Sequence, residues 1–214
     1  MGKTLLLDSQ FYHVFNKTIG DHNVFESNHI KQRFCDSLSF YNGTFQGTSF
    51  SAYLRNPHRL PLAPILSYGP CTLLKILAYC VMPNHYHLLV RVSDRKRLSS
   101  YIQNVENSFS RYTNLVSNRR GPLWQSRYKH VLVKTHAQLV HVSRYIHLNP
   151  TTSSLVKNPE DWLYSSYRDY IKSHSVLYES WNDITFRSPN AYRRFVEDRK
   201  DYQKKLKRIK KHLI

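Results

Sequence analysis

Two apolar arms joined by a three-residue turn constrain the fold of this chain most. The first arm, TLLKILAYCV over Thr72–Val81, carries one charge, and the second, YHLLVRV over Tyr86–Val92, follows Met82-Pro83-Asn84. Short apolar runs rich in β-branched and aromatic residues, bounded by turn residues, read as a paired hairpin. The rest of the chain is placed around it. FYHVFNKT, Phe11–Thr18, reads as a first strand, and Ile30–Tyr41 as a helix ended by Asn42-Gly43. Leu98, Ile102, Val105, Phe109 and Tyr112 recur at four-three spacing, which predicts a helix over Leu98–Asn118. Gly121-Pro122 breaks the chain, and Leu123–Lys134 looks extended. A Thr-x-x-Gln capping box from Thr135 to Gln138 starts another helix, which runs to about Leu148 with Pro150 as its stop.

The order β-α-β-β-α-β-α is that of a split βαβ, ferredoxin-like or RRM-like antiparallel sheet with one more helix. The expected class is therefore α+β, with helices packed on the sheet. Asn42–Pro70 interrupts the pattern. It holds three of the six glycines and four of the nine prolines, and reads as an irregular insertion over about residues 43–70. From Arg193 onward ten Lys/Arg face three acids, which reads as a basic helical tail. The organisation expected is a main domain over 1–171 and a basic C-terminal extension over 172–214.

Size and composition exclude several classes. A chain of 214 residues with 41% hydrophobic residues can bury one sizeable core, despite a net charge of +18. No run approaches the ~18 apolar residues of a membrane span. The Leu5–Leu7 triplet is too short for a signal-peptide core. Cys35, Cys71 and Cys80 form no Cys-x-x-Cys and cannot pair completely, which points to a reducing cytosol and away from a thiolate zinc site.

The charge is concentrated in ways that matter. Between Glu106 and Glu160 there is no carboxylate but there are eight cations, Arg127, Lys129 and Arg144 among them. Asp36 to Asp94 is likewise free of acids. Such a one-signed field repels itself, and a phosphate backbone relieves it. A basic surface that serves solubility alone is the plainer alternative.

Two local patterns carry chemistry. His85 and His87 flank Tyr86 on a strand, so both imidazoles leave the same face and can share one divalent cation. With twelve histidines the spacing alone is weak, and a hydrogen-bonded structural pair is the competing reading. Tyr145 and Asn149 stand at i and i+4 around the end of the late helix, on one face. Among sixteen tyrosines nothing local selects Tyr145 over a core role.

At this point the residues resemble a family. Ala78–Val90, AYCVMPNHYHLLV, resembles the HUH signature of single-strand DNA transposases. GPLWQSRY from Gly121, RYIHLNP from Arg144 and DWLYSSY from Asp161 resemble the REP-associated tyrosine transposases, as does the first strand. The likeness covers roughly residues 11–171. It implies a ferredoxin-like palm, His85 and His87 as ligands of Mg²⁺ or Mn²⁺, Asn149 as a third ligand, and Tyr145 as nucleophile. Arg127, Trp124, Arg144 and Lys129 would contact DNA, by charge or by stacking, with a core ring as the equal alternative for Trp124. The partner implied is single-stranded DNA with hairpin or repeat ends, bound by a monomer or a homodimer in the cytosol, without a nucleotide cofactor.

The reaction implied is phosphodiester transesterification through a 5′-phosphotyrosine. A replication initiator or relaxase would need a further domain. A DNA-binding or repeat-processing protein without transposition shares the fold. A metal hydrolase using His-x-His alone would lack carboxylates near the motif. Tyr112 is the competing nucleophile, and His147, which points off the Tyr145 face, reads as structural.

Overall fold

A computed structural model describes residues 6–21, 23–43, 47–172, 184 and 186–200. Its centre is a four-stranded antiparallel sheet of β1 (Gln10–Lys17), β2 (Lys75–Val81), β3 (His85–Val92) and β4 (Lys129–Val133). The strand order is β2-β3-β1-β4, as a split βαβ arrangement requires. Helices α1 (Asn28–Asn42), α3 (Arg95–Val116) and α4 (His136–Thr152) pack on it, and the short α2 (Phe50–Arg55) leans on α1.

Period-two alternation divides the sheet into two chemically different faces. On β1, Tyr12, Val14 and Asn16 are buried, while His13, Phe15 and Lys17 point the other way. The first face packs on α1 and α3. Phe25, Phe34 and Phe109 form a stacked and edge-on cluster there, joined by Tyr86 and Trp124. The second face is completed by register. Phe15 lies opposite His87, and Lys17 opposite His85, which puts the two strand histidines beside the outward residues of β1.

The Met82–Asn84 turn is held from outside the hairpin. Thr18 N donates to Asn84 O (2.9 Å), and Phe25 N donates to Pro83 O (2.9 Å). The backbone that presents His85 is therefore tied to the end of β1. The 43–70 insertion is closed at its base by Asn42, whose Nδ2 donates to Leu74 O (3.0 Å) and whose Oδ1 accepts from Leu74 N (2.9 Å). It is not wholly irregular, since α2 forms inside it. Ser49 caps α2, and Phe50 is buried against Phe40 and Tyr53.

The stop expected at Pro150 is not where α4 ends; the helix runs on to Thr152, with Asn149 inside it. A proline inside a helix removes its own N–H from the ladder and crowds the carbonyl one turn back, so the turn needs support from elsewhere. Here Ile146, Leu148, Thr151 and Thr152 are buried, and Thr151 Oγ1 donates back to Leu148 O (2.9 Å). Packing of the last turn overrides the local signal. The Thr135 cap is as expected, with Gln138 N donating to Thr135 Oγ1 (3.1 Å). The Gln138 side chain reaches one residue further back than a capping box, accepting from Lys134 N (2.8 Å).

Beyond α4, helix α5 (Tyr167–Lys172) and helix α6 (Pro189–Glu197) pack together and against α4. Tyr192 and Val196 of α6 are fully buried. The remainder of the expected basic tail, residues 201–214, lies outside the described residues.

Candidate active site

The second face of the sheet and helix α4 enclose a cleft of about 1050 Å³. His85, His87, Tyr145 and Asn149 all line it, although they come from β3 and from a helix nearly sixty residues later in the chain. The Tyr145 ring stands edge-on to His87, centroids 5.6 Å apart. His85 and His87 are themselves edge-on at 5.0 Å. Asn149 is 5% exposed and Tyr145 41%, so the asparagine sits in the wall while the tyrosine is partly open to solvent.

Burial pushes the Tyr145 phenol above its ordinary value, and a hydrogen bond with the Asn149 side chain partly offsets this. The Asn149 Nδ2 also donates to Tyr145 O (3.2 Å), which ties the amide to its own helix. The i, i+4 spacing places the two groups together.

The walls are basic. Lys17, Lys129, Arg144 and Arg199 line the cleft, and no carboxylate does among the described residues. The Arg144 guanidinium lies 4.2 Å from the Phe195 ring centroid and donates to Phe195 O (3.2 Å), so α6 holds it in place. Burial and then the nearby Arg199 push Arg144 below its ordinary value. Arg127 is exposed and lies outside the cleft lining, next to Gln125 and Ser126, which belong to it.

Trp124 does not line the cleft. It packs on the opposite face, its ring 5.6 Å from Tyr86 and 6.1 Å from Phe109, with Nε1 donating to Glu106 O (3.4 Å). Its anchoring still shapes the site. Gln125 N donates to Lys17 O (2.9 Å) and Ile19 N to Leu123 O (2.9 Å), so the segment after Gly121 runs along the end of β1. Gly121 itself adopts φ 96°, the left-handed turn that lets the chain reverse there. Tyr112, the competing nucleophile, lies on α3 away from this cleft, with its hydroxyl 3.1 Å from His29 Nδ1.

Three further groups support the site. His13 comes from β1, with Nε2 2.9 Å from His87 Nδ1; burial holds its imidazole down at about 4. Only register could have revealed it, because His13 lies diagonal to His87 on the same face. Glu106 is buried on α3, and burial pushes its carboxyl up. It accepts from Asn16 Nδ2 (2.8 Å) and Tyr86 OH (2.8 Å), while Asn16 Nδ2 also donates to Ser126 O (2.9 Å). His147 points away from Tyr145, as its helical position predicts. It is fully buried, with Nδ1 2.7 Å from Tyr192 OH and Nε2 2.8 Å from Ser166 Oγ.

The donor set suits one divalent cation. His85 Nδ1 lies 2.6 Å from Asn84 Oδ1, the outer partner that metal-binding histidines ordinarily have, and its Nε2 then carries the lone pair. Two imidazoles and one amide oxygen add no negative charge and leave coordination positions for substrate oxygens. No group of three or more His, Cys, Asp or Glu side chains able to hold a metal occurs among the described residues. No helix among these residues is long and apolar enough to cross a membrane.

Comparison with known proteins gives a family match over part of the chain and a shared fold. Residues 71–149 match the family model described as "Transposase IS200 like". A REP-associated tyrosine transposase, solved bound to a REP hairpin, superposes with a TM-score of 0.55 at 14% identity, covering 80% of this chain and 84% of that one; this shows a shared fold. A candidate transposase from Deinococcus radiodurans R1 gives a TM-score of 0.38 at 17% identity, covering 68% and 95%. No curated protein matches the chain. The matched span, Cys71 to Asn149, holds His85, His87, Tyr145 and Asn149, so the likeness to IS200-like transposases covers all four of these cleft residues.

Proposed function

We propose that the chain is a metal-dependent tyrosine transposase that cleaves and rejoins single-stranded DNA at hairpin or repeat ends. One observation carries this reading: Tyr145, His85, His87 and Asn149 line a single cleft walled by four cations and no carboxylate among the described residues. A cleft of that kind suits a phosphodiester, and Tyr145 is the one tyrosine lining it among the described residues.

In the forward step the Tyr145 phenolic oxygen attacks the scissile phosphorus. The phenol gives up its proton as the new O–P bond forms and the bond from phosphorus to the 3′ oxygen breaks, and that departing oxygen takes up a proton to become a 3′-OH. The product is a 5′-phosphotyrosine. A 3′-OH attacking the adduct reverses the step and joins strands, so no nucleotide hydrolysis is needed. A divalent cation, Mg²⁺ or Mn²⁺, held by His85, His87 and Asn149, would polarise a phosphate oxygen and offset the charge that develops in the transition state. Asn149 assists the chain's own chemistry as well, because its hydrogen bond favours the phenolate. Arg144, Lys129 and Lys17 hold the strand through its phosphates. Arg127 extends this track beyond the cleft, while Trp124 secures the wall and does not stack on a base.

The hairpin seen with the REP-associated neighbour supports a hairpin substrate here. The test uses labelled single-stranded hairpin oligonucleotides taken from the repeats flanking the coding sequence, resolved on a denaturing gel. Wild type and Tyr112→Phe should cleave with Mg²⁺ or Mn²⁺ and stop with EDTA, and His87→Ala should be inactive. Tight binding without cleavage under any metal would instead make the chain a DNA-binding protein without strand transfer.

A further inference from the structure

The two strand histidines facing the cleft are held differently. His85 Nδ1 meets an amide oxygen, Asn84 Oδ1, which can only accept, so the His85 proton sits on Nδ1. His87 Nδ1 instead lies 2.9 Å from another imidazole, His13 Nε2, which can either give or take the hydrogen. Only one of those two arrangements leaves His87 with a lone pair on Nε2.

We propose that His13 is a positioning residue for His87. It accepts the His87 Nδ1–H at its own Nε2, and so fixes the tautomer in which His87 offers Nε2 to a cation. The inference rests on reading His85 and His87 as ligands. Three features of the sheet carry it. First, register places Phe15 directly opposite His87, and His13 two residues along on the same face of β1, within diagonal reach. Second, the His13 and His87 rings lie side by side, centroids 5.0 Å apart and planes 29° apart, which suits a hydrogen bond near the plane of both rings. Third, Tyr145 stands edge-on to both rings, at 5.8 Å from His13 and 5.6 Å from His87. His13 therefore backs the nucleophile and the ligand together. Outer partners of this kind typically change metal affinity 10–100-fold, about the size of effect to expect.

The test reads metal binding and tautomer without using activity. Wild type, His13→Phe and His13→Gln are compared free of DNA, by the electron paramagnetic resonance signal of unbound Mn²⁺ and by ¹⁵N shifts of the His87 ring. In the wild type His87 should be protonated on Nδ1. His13→Phe keeps an aromatic ring but has no acceptor, and should bind Mn²⁺ roughly 10–100-fold more weakly while unfolding at a similar temperature. His13→Gln supplies an amide oxygen and should recover most of the loss. Mn²⁺ binding by a folded His13→Phe variant at wild-type strength overturns the assignment, as does His87 protonated on Nε2 in the wild type, which this nucleus reports even where the variants fail to fold. Wild type that binds no Mn²⁺ overturns both the assignment and the metal reading. His13-dependent Mn²⁺ binding without any Tyr145 adduct supports the assignment and sinks the strand-transfer reading; an adduct with His13-independent Mn²⁺ binding does the reverse.

Discussion

The ring of Tyr145 stands edge-on to His87, their planes 80° apart, in the wall of the same cleft. The contact is made by the ring, and the proposed chemistry belongs to the oxygen. Tyr145→Phe keeps the first and removes the second. It should unfold within about 2 °C of wild type, since a change outside the core is usually within ~0.5 kcal/mol. It should bind single-stranded hairpin DNA as wild type does and cleave none of it. Thermal unfolding, a binding isotherm and a cleavage gel on one preparation check this.

Trp124 and Arg127 lie three residues apart and should fail in opposite ways. Trp124 is packed against Tyr86 and Phe109, so Trp124→Ala should cost about 3 kcal/mol of stability. Arg127 is exposed, so Arg127→Ala should leave denaturant unfolding unchanged and weaken DNA binding. A Trp124→Ala protein as stable as wild type would show that the ring is not part of the core.

Lys129 projects into the cleft from β4. If it neutralises one phosphate, Lys129→Ala should reduce the slope of log K against log salt by about 0.7, the value for a single strand. Titrations at several salt concentrations read that slope. An unchanged slope would place Lys129 off the track of the strand.

The buried His147 makes stability depend on pH. Burial holds its imidazole down at about 3 in the folded chain, whereas in the unfolded chain it titrates near ~6.5. As pH falls, the unfolded chain takes up the proton first. The stabilising contribution is therefore complete above ~6.5 and is lost progressively toward pH 3, at up to about 1.4 kcal/mol per unit. His147→Gln has no such proton. The difference in unfolding free energy between the two proteins should shrink from pH 7 to pH 4, and a constant difference would contradict the assignment.

Much of this was legible in the chain. Hairpin, strand order and helices follow from hydrophobic period and turn residues, and the ferredoxin-like sheet has the expected order. His85 and His87 share a face because strand side chains alternate, and Tyr145 meets Asn149 because helical neighbours recur every four residues. What escaped depends on packing between distant segments. Pro150 reads locally as a stop, yet the buried turn around it carries α4 on to Thr152. Trp124 reads equally as a stacking platform or a core ring until its neighbours are known. His13 has no local mark at all, since its role depends on the register of β1 against β3.

The central claim is that Tyr145 becomes covalently joined to DNA. Its most direct test is mass spectrometry of the protein–DNA adduct after nuclease and trypsin digestion. Cleavage after Arg144 and Lys157 yields a peptide whose one tyrosine is Tyr145, whereas Tyr112 falls in the separate peptide between Arg111 and Arg119. The account predicts a nucleotide joined through its 5′ phosphate to the Tyr145 peptide, and an unmodified Tyr112 peptide. A nucleotide on any other residue, or cleaved strands with no covalent adduct at all, would contradict it.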